Sequence, residues 1–186
     1  MSTRSNLSDA DTRRHAIIEA AVHVFATRGF AATPVTEVAA QAGISQAYVF
    51  KLFPTKEGLF VAAIERCYQR IKESMLAAAG AATDRSPEGI LDAIGEAYAR
   101  LIVDRNLLML QVQAQAATDI PSVREAVRTG VAGSVHLARE HSGAAEADIQ
   151  KFIAWGQLCH LVVTLGIADL NTDWAAVLTR GLRHYH

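Results

Sequence analysis

The stretch Thr33–Phe53, TPVTEVAAQAGISQAYVFKLF, decides how the chain is read. Thr33 is expected to cap a short helix, with Pro34 at its first position, where a missing N–H costs nothing. Val38 and Ala39 point inward, and Ala39 is small enough to let a second helix approach. Gly43 then supplies the positive φ at which a helix ends and the chain turns. Ile44 anchors the turn. Ser45 caps a new helix whose Val49 and Phe53, four apart, return to the core. Gln46, Ala47, Tyr48 and Lys51 are left facing outward near that helix's N-terminal half. Helix, tight turn and helix at this spacing predict a DNA-reading helix-turn-helix.

Working outward, nearly every segment carries helical periodicity. A helix is predicted from Asp9 or Asp11 to about Thr27, with Ile17, Ala21, Val24 and Phe25 on one stripe and Gly29 as its stop. Pro54 ends the second helix of the motif, and Thr55 caps a long helix running to about Ala79 with Phe60, Ile64, Cys67, Ile71 and Met75 inward. Gly80–Pro87 is turn-rich, with Ser86 capping Pro87. Further helices are expected near 87–103, 106–117, 121–141, 146–168 and 172–183. No alternating strand pattern, repeat or low-complexity tract appears, so the fold expected is all-α with about nine helices.

Composition narrows the possibilities. The 186 residues are half apolar, yet no apolar run approaches a membrane span, and the polar start MSTRSNLSDADTRR lacks the apolar segment of a secretory signal. A cytoplasmic protein without membrane attachment is expected. Cys67 and Cys159 lie in apolar helical patterns and read as buried thiols. Net charge is −1. Within residues 1–58, Arg4, Arg13, Arg14, Arg28, Lys51 and Lys56 barely exceed Asp9, Asp11, Glu19, Glu37 and Glu57, so the DNA reading rests on pattern rather than bulk charge. Catalysis finds little support. His136 and His141 are five apart, off a common helical face, and no carboxylate completes a metal set; His184 and His186 read as solvated. No phosphate loop or nucleophile elbow is present. No metal, cofactor or enzymatic activity is expected.

The first sixty residues resemble the TetR family of transcriptional repressors. The likeness lies in Thr12–Arg13, Ile17–Ala21, Phe25, Gly29 and Phe30. It continues through Thr33-Pro34-Val35, Glu37-Val38-Ala39, Ala42-Gly43-Ile44-Ser45, Phe50, Phe53, Lys56-Glu57 and Leu59. The resemblance implies a homodimer with a DNA-reading head (residues 1–54) and a helical effector-binding and dimerisation domain (55–186). Three positions depart from the family pattern. Phe50 stands where Tyr is usual, Leu52 where His or Tyr is usual, and Pro34 where Ser or Thr is frequent; each removes a polar group that could reach a phosphate.

Candidate phosphate contacts are Lys56, Thr33, Thr36 and Arg14, with Arg4 in an N-terminal arm. Lys56 sits in a first helical turn whose N–H groups favour anions; otherwise it is a solvated surface lysine. Gln46, Ala47, Tyr48 and Lys51 are the base-facing set: Gln suits adenine, Lys guanine, and Tyr48 either a thymine methyl, a phosphate or a half-buried place against the first helix.

Helix 146–168 is apolar nearly all round and must be buried on several faces. Either it is wholly internal, or one face meets a second copy. In the latter case Phe152, Trp155, Cys159, Val162 and Gly166, with Trp174 and Leu178 of the last helix, form an isologous four-helix interface. A pocket for a mostly apolar small molecule is expected among helices 56–79, 87–117 and 121–141. Its candidate lining is Met75, Tyr98, Met109, Gln113, His136 and Trp155. Gly130 and Gly133, unusual inside a helix, allow either close packing or a kink. The function expected is a ligand-responsive dimeric repressor of a palindromic operator on double-stranded DNA. The alternative is a dimeric small-molecule-binding module whose head has lost DNA affinity.

Overall fold

The computed structural model describes residues 9–182. Among them the chain forms nine α-helices and no strand: α1 (Asp9–Ala32), α2 (Val35–Gln41), α3 (Gln46–Leu52), α4 (Lys56–Ala81), α5 (Pro87–Leu101), α6 (Arg105–Ala116), α7 (Pro121–Ser142), α8 (Glu146–Thr164) and α9 (Asp173–Thr179). A 3₁₀ turn, Ile167–Asp169, joins the last two. Arg4, His184 and His186 lie outside the described residues.

Capping residues set most boundaries. The Ser45 hydroxyl accepts from Tyr48 N, Thr55 from Gly58 N and Ser86 from Gly89 N, each satisfying a donor that the helix leaves open. Gly43 turns with φ 67°, and Gly143 closes α7 with φ 63°.

Gly29, with φ 73° and ψ 178°, interrupts α1 where a stop is expected, and a short further piece runs on to Ala32. The break frees the Gly29 carbonyl, and Thr33 Oγ1 donates to it at 2.7 Å from a fully buried position. Thr33 therefore does not cap α2. Pro34 holds the cap position with no side-chain bond. At the other end, α8 stops at Thr164 rather than 168, because Gly166 takes φ 62°, and α9 spans only 173–179.

One apolar core runs from the helix-turn-helix into the rest of the protein. Val38, Val49 and Phe53 share it with Phe25, Phe60, Ile64, Ile94, Leu110 and Val127. α4 is its spine, burying Leu59, Phe60, Ile64, Cys67, Ile71 and Met75 along one side. Polar contacts reinforce the junction: Arg66 of α4 holds Glu19 of α1 at 2.6 Å, and Ser122 at the start of α7 donates to Glu57 at the start of α4. α7 packs closely on α4 because Gly130 has no side chain: a Cβ there would lie 2.2 Å from carbons of the Tyr68 ring. Gly133 has nothing within 4 Å, so close packing belongs to the first of the two glycines.

Candidate functional site

In the head, Val35, Val38, Ala39, Val49 and Phe53 are buried, which fixes which side of α3 remains outside. Gln46, Ala47, Phe50 and Lys51 are exposed, as is Thr36 on α2. Tyr48 is half-buried against the core, with the Lys51 ammonium 5.9 Å from its ring centroid.

The cations expected at phosphates are engaged by protein. Lys56 Nζ donates to the Ala31 carbonyl at 3.3 Å and lies 4.7 Å from the Phe30 ring centroid. Arg14 Nη1 donates to Leu52 O at 3.0 Å, at the carbonyl end of α3, and stacks 4.2 Å over Phe53. Arg28 pairs with Glu37 at 2.9 Å, tying α1 to α2. Thr33 is a correction: with no exposed surface and its hydroxyl spent on Gly29, its side chain cannot reach a phosphate here.

The second feature is a cavity of about 930 Å³ between α4, α5, α7 and α8. Met75, Tyr98 and Trp155 line it, joined by Tyr68, Leu91 and Phe152. The other three expected residues do not. Met109 packs into the main core, Gln113 faces Gly29 and His136 is exposed on α7. Sequence reasoning passed over the α5 wall: Glu88, Asp92 and Glu96 recur every four residues, and all border the cavity.

It also missed a buried polar group at the cavity's inner wall. Gln111 Nε2 donates to Leu107 O at 3.1 Å, which turns Gln111 Oε1 toward Tyr98. The Tyr98 hydroxyl donates to that oxygen at 3.2 Å. Having spent its proton there, it accepts from His160 Nε2, which leaves His160 Nδ1 as a buried acceptor with no partner among the described residues. Burial lowers the His160 pKa to about 4, so the ring is neutral near pH 7. Burial also raises the Tyr98 hydroxyl, and it pushes the Cys67 thiol to about 12. Cys67 and Cys159 are both free and buried, and neither is poised as a nucleophile. The legible signal was a Tyr, a Gln and a His, each set inside an apolar stripe.

The residues expected at a dimer interface divide. Val162 and Cys159 are buried in their own chain, Val162 against Ile167 and Ala175 and Cys159 against Ile102 and Leu108. Phe152 is half-buried beside Leu91 and Ile149, Gly166 forms the turn, and Leu178 packs on the Val162 cluster. Trp155 and Trp174 are about half exposed. The open apolar face is one helical step away, at Leu161, Leu165, Leu170, Trp174 and Val177, with Leu165 66% and Val177 67% exposed.

Among the described residues no group of three or more His, Cys, Asp or Glu could hold a metal ion, and no helix is long and apolar enough to cross a membrane.

A helix-turn-helix head continuous with a hollow helical body defines a class of DNA-binding regulatory protein. Residues 17–63 match the family described as bacterial regulatory proteins, tetR family. Among solved structures, the chain is similar to a TetR-like transcriptional regulator from Rhodococcus sp. RHA1 (26% identity, 95% of this chain and 96% of that one, TM-score 0.67). It is also similar to the transcriptional regulator FadR from Bacillus subtilis in complex with stearoyl-CoA (19% identity, 93% and 100%, TM-score 0.66). The fatty acid degradation regulator FadR from Bacillus halodurans shares the fold too (18% identity, 91% and 100%, TM-score 0.67). No curated protein sequence matches. Residues 17–63 thus carry the N-terminal domain of the tetR family of bacterial regulatory proteins, and the chain as a whole shares the fold of TetR-like regulators.

Proposed function

We propose that the protein is a ligand-responsive dimeric repressor, with residues 1–54 as its DNA-reading head and 55–186 as its effector-binding and dimerisation domain. The observation that carries this reading is α4. It runs as one helix from Lys56, beside the recognition helix α3, to Met75 in the cavity wall. A molecule filling the cavity would therefore press on the element that orients the head. Two heads must meet successive major grooves about 34–36 Å apart, so a small tilt of α4 in each subunit is enough to lose the match. The apolar face of α8 and α9 supports pairing with a second copy across a two-fold axis. The cavity suits a small, mostly apolar effector with one or two hydrogen-bonding groups, and its role as a ligand site is in keeping with the stearoyl-CoA bound by the B. subtilis regulator. Thr36, Gln46, Ala47, Tyr48 and Lys51 are the DNA-facing set, and Lys56, half-buried at the start of α4, reaches a phosphate by giving up the Ala31 carbonyl. A DNA-reading role places the protein in the cytoplasm, and no enzymatic step is assigned to it.

Selection of bound oligonucleotides from a random pool by the full chain tests the DNA reading. An enriched palindrome is expected. A ligand of the cavity should then change operator affinity by about 5–150-fold, the usual range of such coupling. Unchanged affinity at saturating ligand would defeat the switch for that ligand.

A specific observation favours a second reading, a dimeric binding module with weak DNA affinity: Arg14 and Lys56 are bonded to backbone carbonyls and Thr33 is buried. An unenriched pool would select it.

A further inference from the structure

The charged residues at the cavity are nearly all of one sign. Glu88, Asp92 and Glu96 stand on successive turns of α5 and border it, and Asp148 borders it from α8. Against these four carboxylates the lining carries one cation, Lys151, which lies 4.0 Å from Asp148. Arg100 stands 3.5 Å from Glu96 but does not border the cavity. Glu88, Asp92 and Asp148 are exposed and Glu96 is half-buried, so the carboxylates form a rim, while Met75, Leu91 and Phe152 supply apolar wall. Charges of one sign beside low-dielectric walls focus a field that draws in the opposite sign.

The inner wall, which shares no residue with that rim, makes the same demand through hydrogen bonding. Tyr98 gives its hydroxyl hydrogen to Gln111, and Ser134, also in the lining, gives its own to the Gly130 carbonyl at 3.3 Å. Each oxygen is left with lone pairs and no hydrogen to offer. Behind Tyr98, His160 has spent its hydrogen on the same hydroxyl. His160 is only 5% exposed, and its Nδ1 is an acceptor with no partner among the described residues. This polar group is short of donors.

From these two observations we infer that the cavity takes a protonated amine carried on an apolar body. The rim carboxylates match its charge, the Tyr98 oxygen accepts from its N–H groups, and the body fills the apolar wall. An ammonium is a donor only and positively charged, so it answers rim and inner wall together. A carboxylate or phosphate head answers neither, since it only accepts and the rim repels it. The inference rests on the ligand-site reading proposed above and narrows that site to one charge class.

Octylamine, octanol and octanoate share one chain and differ in the head; at pH 7 the amine is protonated and the acid ionised. Calorimetric titration of the full chain should find the amine about tenfold tighter than the alcohol, the yield of one charge-assisted hydrogen bond, with octanoate weakest. Raising the salt should narrow the amine's lead, because the rim is exposed. Asp92→Asn combined with Glu96→Gln should remove most of that lead and leave octanol binding unchanged, which shows that the cavity still forms. An amine no tighter than the alcohol, or octanoate as tight as the amine, overturns the inference while leaving the ligand site standing. So does a lead that survives the double substitution. Failure of all three probes to bind overturns both the inference and the ligand-site reading beneath it.

Discussion

The head and the α8–α9 segment both leave apolar side chains in water, but they do so differently. α3 shows a single phenyl among Gln46, Ala47 and Lys51, whereas α8 and α9 show Leu161, Leu165, Leu170, Trp174 and Val177 together. An isolated apolar group among hydrogen-bonding neighbours suits a surface whose partner is mostly polar, such as a DNA groove. A contiguous apolar face suits another protein surface of the same character. The comparison teaches that amount of exposed apolar surface says less than its company.

The largest expected effect comes from charging the second surface. Leu165→Glu combined with Val177→Glu should convert a dimer to a monomer, read by light scattering. Operator affinity should fall about 100-fold or more, since two linked heads gain roughly 10²–10⁴ over one. A double variant that stays dimeric would show that another face pairs the subunits.

Next is acidification. His160 is neutral and buried, with its pKa lowered to about 4, so the unfolded chain binds a proton that the folded one refuses. Its contribution is fully present above about pH 6.5 and is lost as pH falls toward 4, amounting to up to about 3 kcal/mol. Urea unfolding of the parent and His160→Gln across pH 7 to 4 should show the two curves converging as pH drops.

A smaller effect separates two glycines within the head. Gly29→Ala should cost about 2 kcal/mol, because the position combines φ 73° with the Gln113 amide oxygen 2.4 Å from where a Cβ would stand. Gly43→Ala meets no neighbour within 4 Å and should cost about 1 kcal/mol for its φ of 67° alone. Thermal unfolding of both variants checks the order. Smallest in affinity but most informative for the head, Gln46→Ala should reduce base discrimination by about 1–3 kcal/mol at one position. Lys56→Ala, by contrast, should lower binding to all sequences and flatten the salt dependence. Identical profiles for the two variants would erase the division between reading and holding DNA.

The head was largely legible because its signals are local. Ser45, Gly43, Pro54 and Thr55 each act on residues within four positions, so their outcome follows from spacing. Thr33 was misread because its hydroxyl turns back to the carbonyl freed at the Gly29 break, four residues behind, instead of forward to the helix it precedes. The body was legible as helices but not as a site. Period 3.6 tells which residues point inward, not whether a neighbour or a void awaits them; Met75 meets the cavity while Met109 meets the core. On α8 the same blindness placed Val162 outward, when the face that faces solvent is the adjacent one. The carboxylates of α5 drew no notice in the sequence because water and cavity mouth make the same demand for polarity.

Gly130 is not among the residues bordering the cavity, yet Tyr68, which rests on its bare backbone, is. The size of the chamber is thus governed by a position outside its wall. Any side chain at residue 130 would displace the Tyr68 ring, altering which molecules fit while leaving every lining residue the same. Selectivity for ligands can in this way drift through a helix-packing position, and a comparison of lining residues alone would record no change.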